Sequence, residues 1–207
     1  ADAVYIGPPR FGARAKAANS IHDIEALARH AHFFGARVYA TLNTLLKDEE
    51  LLEAQRLAWQ LYGAGVDALI VQDMALLQMD LPPLPLHAST QTDNRSLAKV
   101  QFLEGVGFSR VVLARELSLE QIEEIGQGCS VELEVFVHGA LCVCYSGQCY
   151  LSEHLTGRSA NRGECEQPCR YSYTLRTPSG QVLSQDRHLL SLRDLNHTQN
   201  LRQLLQA

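Results

Sequence analysis

Short apolar runs alternate with longer amphipathic stretches through the first two thirds of the chain. The apolar runs are rich in β-branched and aromatic residues, which is typical of buried strands; they comprise residues 3–7, 37–43, 68–72, 84–90, 110–114 and 132–139. The stretches between them have helical spacing and comprise residues 21–34, 48–62, 94–105 and 118–127. Ser20 and Ser118 stand where helix N-caps are expected. The pattern therefore predicts six strands with helical crossovers, which means a parallel sheet.

Two architectures satisfy this pattern: a (β/α) TIM-barrel-like domain and a doubly wound open sheet. Polar residues follow the carboxyl-terminal ends of the predicted strands. This pattern favours the barrel, because the active sites of barrel enzymes lie at that rim. These residues are Arg10, Asn43, Gln72, Asp73, His87, Gln91, Arg115, Glu116 and His138. The chain starts directly in a strand and stops inside a helical pattern, so we expect a fragment that lacks the first and last strands of a barrel.

The alternation of strand and helix patterns ends after the sixth predicted strand. Residues 140–170 are rich in Gly, Ser, Cys and Arg, and they predict a cysteine-rich insertion at the end of that strand. Residues 171–184 predict a hairpin that turns at 178–180, and residues 191–207 return to a helical pattern. We therefore divide the chain into a barrel core (1–139), a cysteine-rich cluster-binding segment (140–170) and a hairpin and helix that return to the barrel (171–207).

Composition narrows the functional classes. The 207 residues are 46% hydrophobic, enough to bury a core without disulfides. No apolar run is long enough to span a bilayer and no export signal opens the sequence, so we expect a soluble cytoplasmic protein with reduced thiols. Six cysteines then indicate metal or redox chemistry. The formal charge of −5 argues against binding nucleic acid by bulk electrostatics, so any RNA contact needs a local basic patch.

Four cysteines have a spacing that suits an inorganic centre: Cys142, Cys149, Cys165 and Cys169. Thiols gathered from two loops suit tetrahedral zinc or an iron–sulfur cluster. Structural zinc usually uses Cys-x2-Cys pairs, which this sequence lacks, whereas a four-iron cluster accommodates wider spacing. The spacing thus favours an iron–sulfur cluster and leaves zinc, or free or redox-active thiols, as alternatives. Arg158, Arg162 and Arg170 would offset the negative charge of thiolates or of a phosphate.

The segment ELEVFVHGALCVCYSGQCYLS (132–152) resembles the peptidase U32, or collagenase-like, family. The positions on the family motif E-x-F-x-x-G-A-L-C-x4-G-x-C-x-L-S are Glu134, Phe136, Gly139, Cys142, Gly147, Cys149 and Ser152. The resemblance continues through TGRSANRGECEQPCR (156–170) and through the strands upstream. The segments CYLSEHLTGRSANRG and HLLSLRDLNHTQNL are most similar to family members that form 5-hydroxycytidine in 23S ribosomal RNA.

The resemblance implies an RNA-modifying hydroxylase with a 4Fe-4S cluster, with prephenate as the source of the hydroxyl group and 23S ribosomal RNA as partner. Alternatives within the family are hydroxylation of tRNA uridine and peptidase activity. The implied ligands are Cys142, Cys149, Cys165 and Cys169. Cys129 and Cys144 fall outside the ligand pattern and are expected to be ordinary thiols. Asn196 stands where some relatives have a further cysteine, which leaves Cys169 as the natural fourth ligand.

Three residues are candidates for proton transfer. His138 precedes the first ligand at a predicted strand end, and Glu134 is in phase with it, so both could face the barrel interior as acid and base. The alternative is a hydrogen-bonded core pair. His87 at the fourth predicted strand could exchange a proton near the base, or it could be structural.

Seven residues are candidates for substrate binding: Arg10, Arg14, Gln91, Arg115, Arg158, Asn161 and Arg162. Arg10 and Arg14 follow the first strand in a Gly-Pro-Pro loop and would contact phosphate or a carboxylate such as prephenate, unless the loop is simply solvated. Asn161 and Arg162 are close to Cys165 in sequence and could shape the cluster pocket.

Two other functions compete with hydroxylation. A protease needs a nucleophile and base, or a catalytic metal with an open position. The sequence contains neither G-x-S-x-G nor H-E-x-x-H, so Cys142 or Cys149 with His138 would have to serve. The third hypothesis is a non-enzymatic RNA-binding scaffold that contains structural zinc.

Overall fold

A curled parallel sheet of six strands forms the centre of the protein. The computed structural model describes residues 1–206. The strands are β1 Ala3–Ile6, β2 Arg37–Leu42, β3 Ala68–Val71, β4 Leu86–Ala88, β5 Arg110–Val112 and β6 Glu132–Glu134. Each strand pairs in parallel with the strand that precedes it in sequence. All six predicted strands form, several of them shorter than the pattern indicated.

The strand order excludes the doubly wound alternative. Such a sheet reverses its order at a switch point, whereas β1 to β6 follow one another without reversal. The sheet also curls, since the Tyr5 hydroxyl on β1 donates a hydrogen bond to the Glu134 carboxylate on β6. Contact between side chains of the first and sixth strands makes the sheet a half-barrel. The further barrel strands expected from the sequence stay a prediction.

Four helices cover the convex face of this sheet: α1 Ile21–Phe33, α2 Leu51–Gly63, α3 Leu97–Gly105 and α4 Leu119–Gly128. Ser20 and Ser118 cap α1 and α4 as predicted, each accepting a backbone N–H from the third helical residue. α2 and α3 begin later than predicted, because a 3-10 turn precedes α2 and Ser96 caps α3. None of the helices within residues 1–206 is long and apolar enough to cross a membrane.

The two faces of the sheet have different chemistry. On the convex face, fully buried strand residues such as Val38, Leu69 and Val111 form one core with the helices. On the concave face, the apolar cluster is small and centres on Tyr39 and Ile70. The convex face therefore supplies most of the hydrophobic stabilisation, and the concave face is left for polar groups.

Charged side chains pair with one another on the concave face. Arg110 on β5 donates to Glu132 at 2.7 Å and to Glu134 at 3.4 Å. Its guanidinium carbon lies 5.4 Å from the centre of the Tyr39 ring. Glu134 is thus held between Arg110 and the Tyr5 hydroxyl. This network satisfies polar groups that would otherwise be costly to bury.

His87 lies in the middle of β4, not at its end as predicted. Its ring packs edge-on to Tyr39 with the centroids 4.8 Å apart, and the residue is 4% exposed. It borders a cavity of about 360 Å³ at the amino-terminal ends of the strands; Arg37, Asp67 and Ser109 also line this cavity. Burial, followed by the nearby positive charge of Arg110, lowers the pKa of His87 to about 4. The imidazole is therefore neutral at physiological pH.

The chain beyond β6 consists of short elements: β7 His138–Gly139, α5 Leu151–Thr156, β8 Tyr173–Arg176, β9 Val182–Arg187, β10 Leu195–Asn196 and α6 Leu201–Leu204. β8 and β9 form the predicted hairpin. The helix predicted for 191–207 is wrong in its first half, which contains β10 and a 3-10 turn before α6. Leu204 of α6 packs against the main core. The three proposed domain boundaries stay predictions.

The strand predicted for 132–139 is wrong beyond residue 134. β6 ends at Glu134, and β7 pairs antiparallel with β10 in a separate small sheet. The Val137 carbonyl accepts from the His197 N–H at 2.7 Å, so this stretch leaves the parallel ladder. Glu134 and His138 consequently do not share a strand face, and the predicted pairing of the two is wrong.

Asn94 joins the loop after β4 to β5 from a fully buried position. Its Nδ2 donates to the carbonyls of Ser89 and Val112, each at 2.9 Å. Its Oδ1 accepts from the Thr92 hydroxyl at 2.5 Å. One side chain thus fixes a rim loop against the sheet.

We expect Asn94→Ala to lower the free energy of unfolding by about 2 to 4 kcal/mol, because it removes three buried hydrogen bonds that join the loop after β4 to β5. Urea denaturation followed by circular dichroism measures the change. The exposed Gln199 provides the control, since Gln199→Ala should change stability by less than about 0.5 kcal/mol. Equal effects of the two substitutions would contradict a structural role for the Asn94 amide.

We expect His87 to make the protein less stable as the pH falls from about 6.5 to about 4. The unfolded chain binds the proton near pH 6.5, whereas folded His87 binds it only near pH 4. The stability from the neutral imidazole is thus present above pH 6.5 and is lost across that window, by roughly 3 kcal/mol. His87→Gln should flatten the pH dependence of urea midpoints there, and the exposed-site variant His22→Asn should not. An unchanged profile in His87→Gln would refute the low pKa.

Candidate functional site

The cysteine segment, residues 140–170, lies over the carboxyl-terminal ends of the strands. Main-chain hydrogen bonds attach it there: the Ala15 N–H donates to the Gly163 carbonyl at 3.0 Å, and the Leu45 N–H donates to the Asn161 carbonyl at 3.0 Å. Ala15 and Leu45 belong to the loops that follow β1 and β2. The segment is therefore positioned at the end of the half-barrel where such folds assemble their chemistry.

Glycines allow the segment to approach the rim closely. A Cβ on Gly163 would lie 2.3 Å from the Gly12 carbonyl oxygen, and one on Gly147 would lie 2.0 Å from the Gln91 carbonyl oxygen. Both glycines also have positive φ, +83° and +74°. No other residue could occupy either position without moving the backbone.

The candidate ligands lie in two parts of the segment and influence one another electrostatically. Burial raises the pKa of Cys142, and the neighbouring thiols of Cys149 and Cys165 raise it further. Burial also raises the pKa of Cys169, with contributions from Cys142, Cys165 and Cys149. Each of the four thiols therefore lies within electrostatic reach of others in the set.

The two remaining cysteines differ in position. Cys144 lies beside Cys149 and hydrogen-bonds to it, and burial together with this contact raises the pKa of Cys144 to about 11. Cys129 ends α4 and packs against the main core, where burial raises its pKa. Cys144 thus lies among the candidate ligand cysteines, whereas the family motif predicted an ordinary thiol outside that set. Its position two residues after Cys142 was the signal available in the sequence.

Two guanidinium groups accompany the thiols. Arg115 lies near Cys142 and 4.0 Å from the ring centre of Phe136, and burial lowers its pKa. Arg170 donates to the Leu141 carbonyl at 2.7 Å, and its charge lowers the pKa values of neighbouring thiols. Among the ion pairs within residues 1–206, neither guanidinium has a carboxylate partner. Their charges are therefore available to thiolates.

The spacing of the thiols bears on which inorganic group they fit. Zinc binds thiolates at about 2.3 Å, so its four sulfurs must lie within about 4 Å of one another. Within residues 1–206, no three His, Cys, Asp or Glu side chains are close enough to hold a single ion. Thiols are the donor groups that an iron–sulfur cluster uses, and the predicted cluster stays a prediction. Arg115 and Arg170 suit the negative charge of such a thiolate-bound group.

The other predicted arginines have different environments. Arg162 donates to Glu50 at 2.7 and 3.0 Å, which lowers the pKa of Glu50 to about 2. Arg10 pairs with Glu53 on α2, and Arg158 pairs with Glu166. Arg14 is near enough to Arg115 for its charge to lower the pKa of Arg115. Of the predicted arginines, Arg115 is thus the one beside Cys142, and Arg14 is close enough to Arg115 to affect it electrostatically.

Two predicted binding residues contact the segment through their backbones. Gln91 supplies the carbonyl on which Gly147 rests, and this carbonyl also accepts from Gln72 at 3.0 Å. The Asn161 carbonyl accepts from Leu45, and its side chain is buried. Both residues position the cysteine segment, and their predicted contact with substrate stays a prediction.

The three acid–base candidates lie apart. Glu134 is held by Tyr5 and Arg110 on the concave face. His87 faces the cavity at the amino-terminal ends of the strands, opposite the cysteine segment. His138 is exposed in β7, four residues before Cys142. The structure therefore leaves His138 as the candidate adjacent in sequence to the thiols.

Comparison with known proteins agrees with this architecture. The chain is 57% identical over 207 residues to the 23S rRNA 5-hydroxycytidine C2501 synthase of Escherichia coli (strain K12), covering 100% of this chain and 32% of that protein. It is 38% identical over 184 residues to tRNA hydroxylation protein P1 of Bacillus subtilis (strain 168), covering 87% of this chain and 44% of that protein. The chain thus spans less than half the length of these curated relatives.

The solved structure of the U32 peptidase Mk0906 has the same fold, with a TM-score of 0.60 over 92% of this chain and 82% of that chain at 18% identity. The model of peptidase family U32 matches residues 1–207. With this match and the identity to the curated relatives, the chain belongs to peptidase family U32.

Proposed function

We propose that the protein is an RNA hydroxylase that converts a cytidine of 23S ribosomal RNA to 5-hydroxycytidine. The proposed substrate is supported by the 57% identity over the whole chain to the 23S rRNA 5-hydroxycytidine C2501 synthase. One observation carries the chemistry: four thiols gather beside two guanidinium groups at the carboxyl-terminal ends of the strands. That end of a β/α half-barrel is where catalytic groups are expected.

The reaction needs a group that amino-acid side chains cannot replace. Exchange of the C5 hydrogen of a pyrimidine for a hydroxyl is a two-electron oxidation of the base, and no side chain accepts these electrons or supplies the oxygen. We propose that Cys142, Cys149, Cys165 and Cys169 hold a 4Fe-4S cluster, which when bound supplies the electron transfer that this oxidation requires. Prephenate is the proposed source of the hydroxyl group, as the family resemblance implies.

Arg14 and Arg115 are the proposed binding residues for the co-substrate. Arg115 is partly buried near Cys142, and Arg14 lies close to it without an ion pair in the part of the chain that the structure describes. Two adjacent guanidinium groups suit a dicarboxylate such as prephenate, because each can bind one carboxylate through paired hydrogen bonds. The stacking of Arg115 on Phe136 fixes the plane of its guanidinium.

Proton transfer is assigned to His138 in this proposal. It is exposed and close in sequence to Cys142, whereas Glu134 is occupied by Tyr5 and Arg110. His87 is buried at the opposite end of the sheet with a pKa of about 4. These environments support structural roles for Glu134 and His87.

A second candidate substrate is tRNA, favoured by the 38% identity to tRNA hydroxylation protein P1. Peptidase activity has less support. It would need a thiolate paired with an imidazole. Histidine hydrogen bonds within residues 1–206 go to Asp67 and to the Arg170 carbonyl, and none reaches a cysteine.

We expect Cys142→Ala to remove the iron and sulfide of anaerobically purified protein and to abolish 5-hydroxycytidine in 23S ribosomal RNA, because a missing ligand destabilises the cluster. Colorimetric iron and sulfide assays and mass spectrometry of ribosomal RNA and tRNA from complemented deletion cells measure the two effects. Cys129→Ala is the matched control, since Cys129 packs against the core and should leave both readouts unchanged.

Normal 5-hydroxycytidine in cells with Cys142→Ala would remove the thiols from the mechanism. Loss of a hydroxylated uridine of tRNA alone would replace 23S ribosomal RNA by tRNA as the substrate. A colourless wild-type protein that contains one zinc ion and cleaves gelatin would favour peptidase activity as the function.

We expect Arg115→Gln to raise the KM for prephenate by roughly tenfold, since loss of one charge-assisted contact costs about 1.4 kcal/mol. Hydroxylation of RNA by the anaerobic holoenzyme at varied prephenate concentrations gives this value. Arg56→Gln, on the exposed surface of α2, is the control and should leave the KM unchanged. An unaltered KM in Arg115→Gln would exclude Arg115 from co-substrate binding.

A further inference from the structure

Tyr145 is an exposed aromatic residue in the loop between Cys142 and Cys149, hereafter the thiol loop, and it has no role in the proposed chemistry. Tyr145 follows Cys144 directly and is 57% exposed. The guanidinium carbon of Arg95 lies 3.6 Å from the centre of its ring. Arg95 in turn donates to Asp93 at 2.9 Å, which orients the guanidinium. One face of the Tyr145 ring is therefore stacked on Arg95, and more than half of the residue remains open to solvent.

The backbone around Tyr145 is held firmly. The Ser146 N–H donates to Glu116 at 2.8 Å, and the Ser146 hydroxyl donates to the same carboxylate at 3.0 Å. Gly147 rests directly on the Gln91 carbonyl. Glu116 and Gln91 lie in the loops after β5 and β4, so the rim fixes the loop from two sides. An aromatic ring held this way loses little conformational entropy when a planar ligand stacks on it.

Two more exposed tyrosines flank the candidate ligands. Tyr150 follows Cys149 and is 60% exposed, and Tyr171 is two residues after Cys169 and is 46% exposed. Exposed tyrosines thus stand beside the cysteines in both parts of the segment. Single exposed aromatic residues are common, and among these three it is Tyr145 whose ring is held by a stacked guanidinium.

We propose that Tyr145, supported by Arg95, is a stacking platform for a base of single-stranded RNA next to the nucleotide to be modified, with Tyr150 and Tyr171 extending the same surface. This inference rests on the proposed RNA hydroxylation. Aromatic and arginine planes are the usual surfaces on which unpaired bases stack. The Arg95 guanidinium, which is held by its ion pair with Asp93, forms a second planar surface behind the Tyr145 ring and fixes the orientation of that ring.

Single-stranded RNA fits this surface better than a duplex. C5 of a paired cytidine lies in the deep, narrow major groove of A-form RNA, so the target base must leave the helix before the thiol site can reach it. Its displaced neighbours then present open π-faces. A platform beside the cysteines would hold one of these neighbours and so set the position of the target base.

The test compares binding and catalysis in three variants of the anaerobic holoenzyme. We expect Tyr145→Ala to weaken binding of a fluorescein-labelled ten-nucleotide single-stranded RNA by roughly 5- to 100-fold, the effect of losing one base–aromatic stack. Tyr145→Phe should bind within about twofold of wild type, because the ring face is retained. Tyr62→Ala is the matched control, since Tyr62 is 44% exposed on α2 and should have no effect. Fluorescence anisotropy gives the affinities, and the same RNA as a duplex should bind more weakly than the single strand.

The KM for RNA should rise in Tyr145→Ala by the same factor as the dissociation constant, with iron content unchanged. Unaltered affinity and KM in Tyr145→Ala, with normal hydroxylation by wild type, would overturn the platform and leave the proposed function intact. Loss of RNA affinity in Tyr145→Ala, from a wild-type protein that never hydroxylates cytidine, would overturn the hydroxylation and support the platform. Loss of iron in Tyr145→Ala together with loss of binding, but not in Tyr145→Phe, would reduce Tyr145 to a structural role and refute the platform.

Discussion

The arrangement of the site depends on close contact between two stretches of backbone. The cysteine segment rests on the rim of the half-barrel where Gly163 meets the Gly12 carbonyl and Gly147 meets the Gln91 carbonyl. A side chain at either glycine would overlap the opposing oxygen, so the segment can lie at this depth only because Cβ is absent. The Ala15 N–H donates to the Gly163 carbonyl at the same contact. This contact brings two parts of the segment over the same strand ends, and the positions of the thiols follow from it.

The half-barrel separates two kinds of polar chemistry. On the concave face, Arg110 pairs with Glu132 and Glu134, and His87 is buried as a neutral ring towards the amino-terminal ends of the strands. These charges satisfy one another, which stabilises the concave face and leaves little reactivity. At the carboxyl-terminal ends, Arg115 and Arg170 stand beside thiols without carboxylate partners in the described residues. Unneutralised positive charge beside potential anions is the condition that a thiolate-bound cluster or an anionic substrate requires.

The arginines of the chain illustrate how tertiary contacts sort residues of identical chemistry. Arg10, Arg158 and Arg162 each meet a glutamate and thereby hold loops together. Arg115 stacks on Phe136, and Arg95 stacks on Tyr145 within the thiol loop. The sequence shows only that arginines occur near cysteines and strand ends. Arg95 pairs locally with Asp93, whereas the carboxylate that neutralises Arg162 is Glu50, which is distant in sequence.

Local patterns in the sequence determined much of this protein. Hydrophobic periodicity predicted six parallel strands with helices between them, serine caps predicted where two helices begin, and turn residues predicted the β8–β9 hairpin. The cysteine spacing and the family motif indicated the candidate ligands. Only the tertiary structure decided that β6 ends at Glu134, that His87 faces the opposite end of the sheet from the thiols, and that Cys144 lies beside Cys149. The physical reason is range: caps, turns and periodicity act within a few residues, whereas strand ends, burial and charge pairing depend on groups brought together from distant parts of the chain.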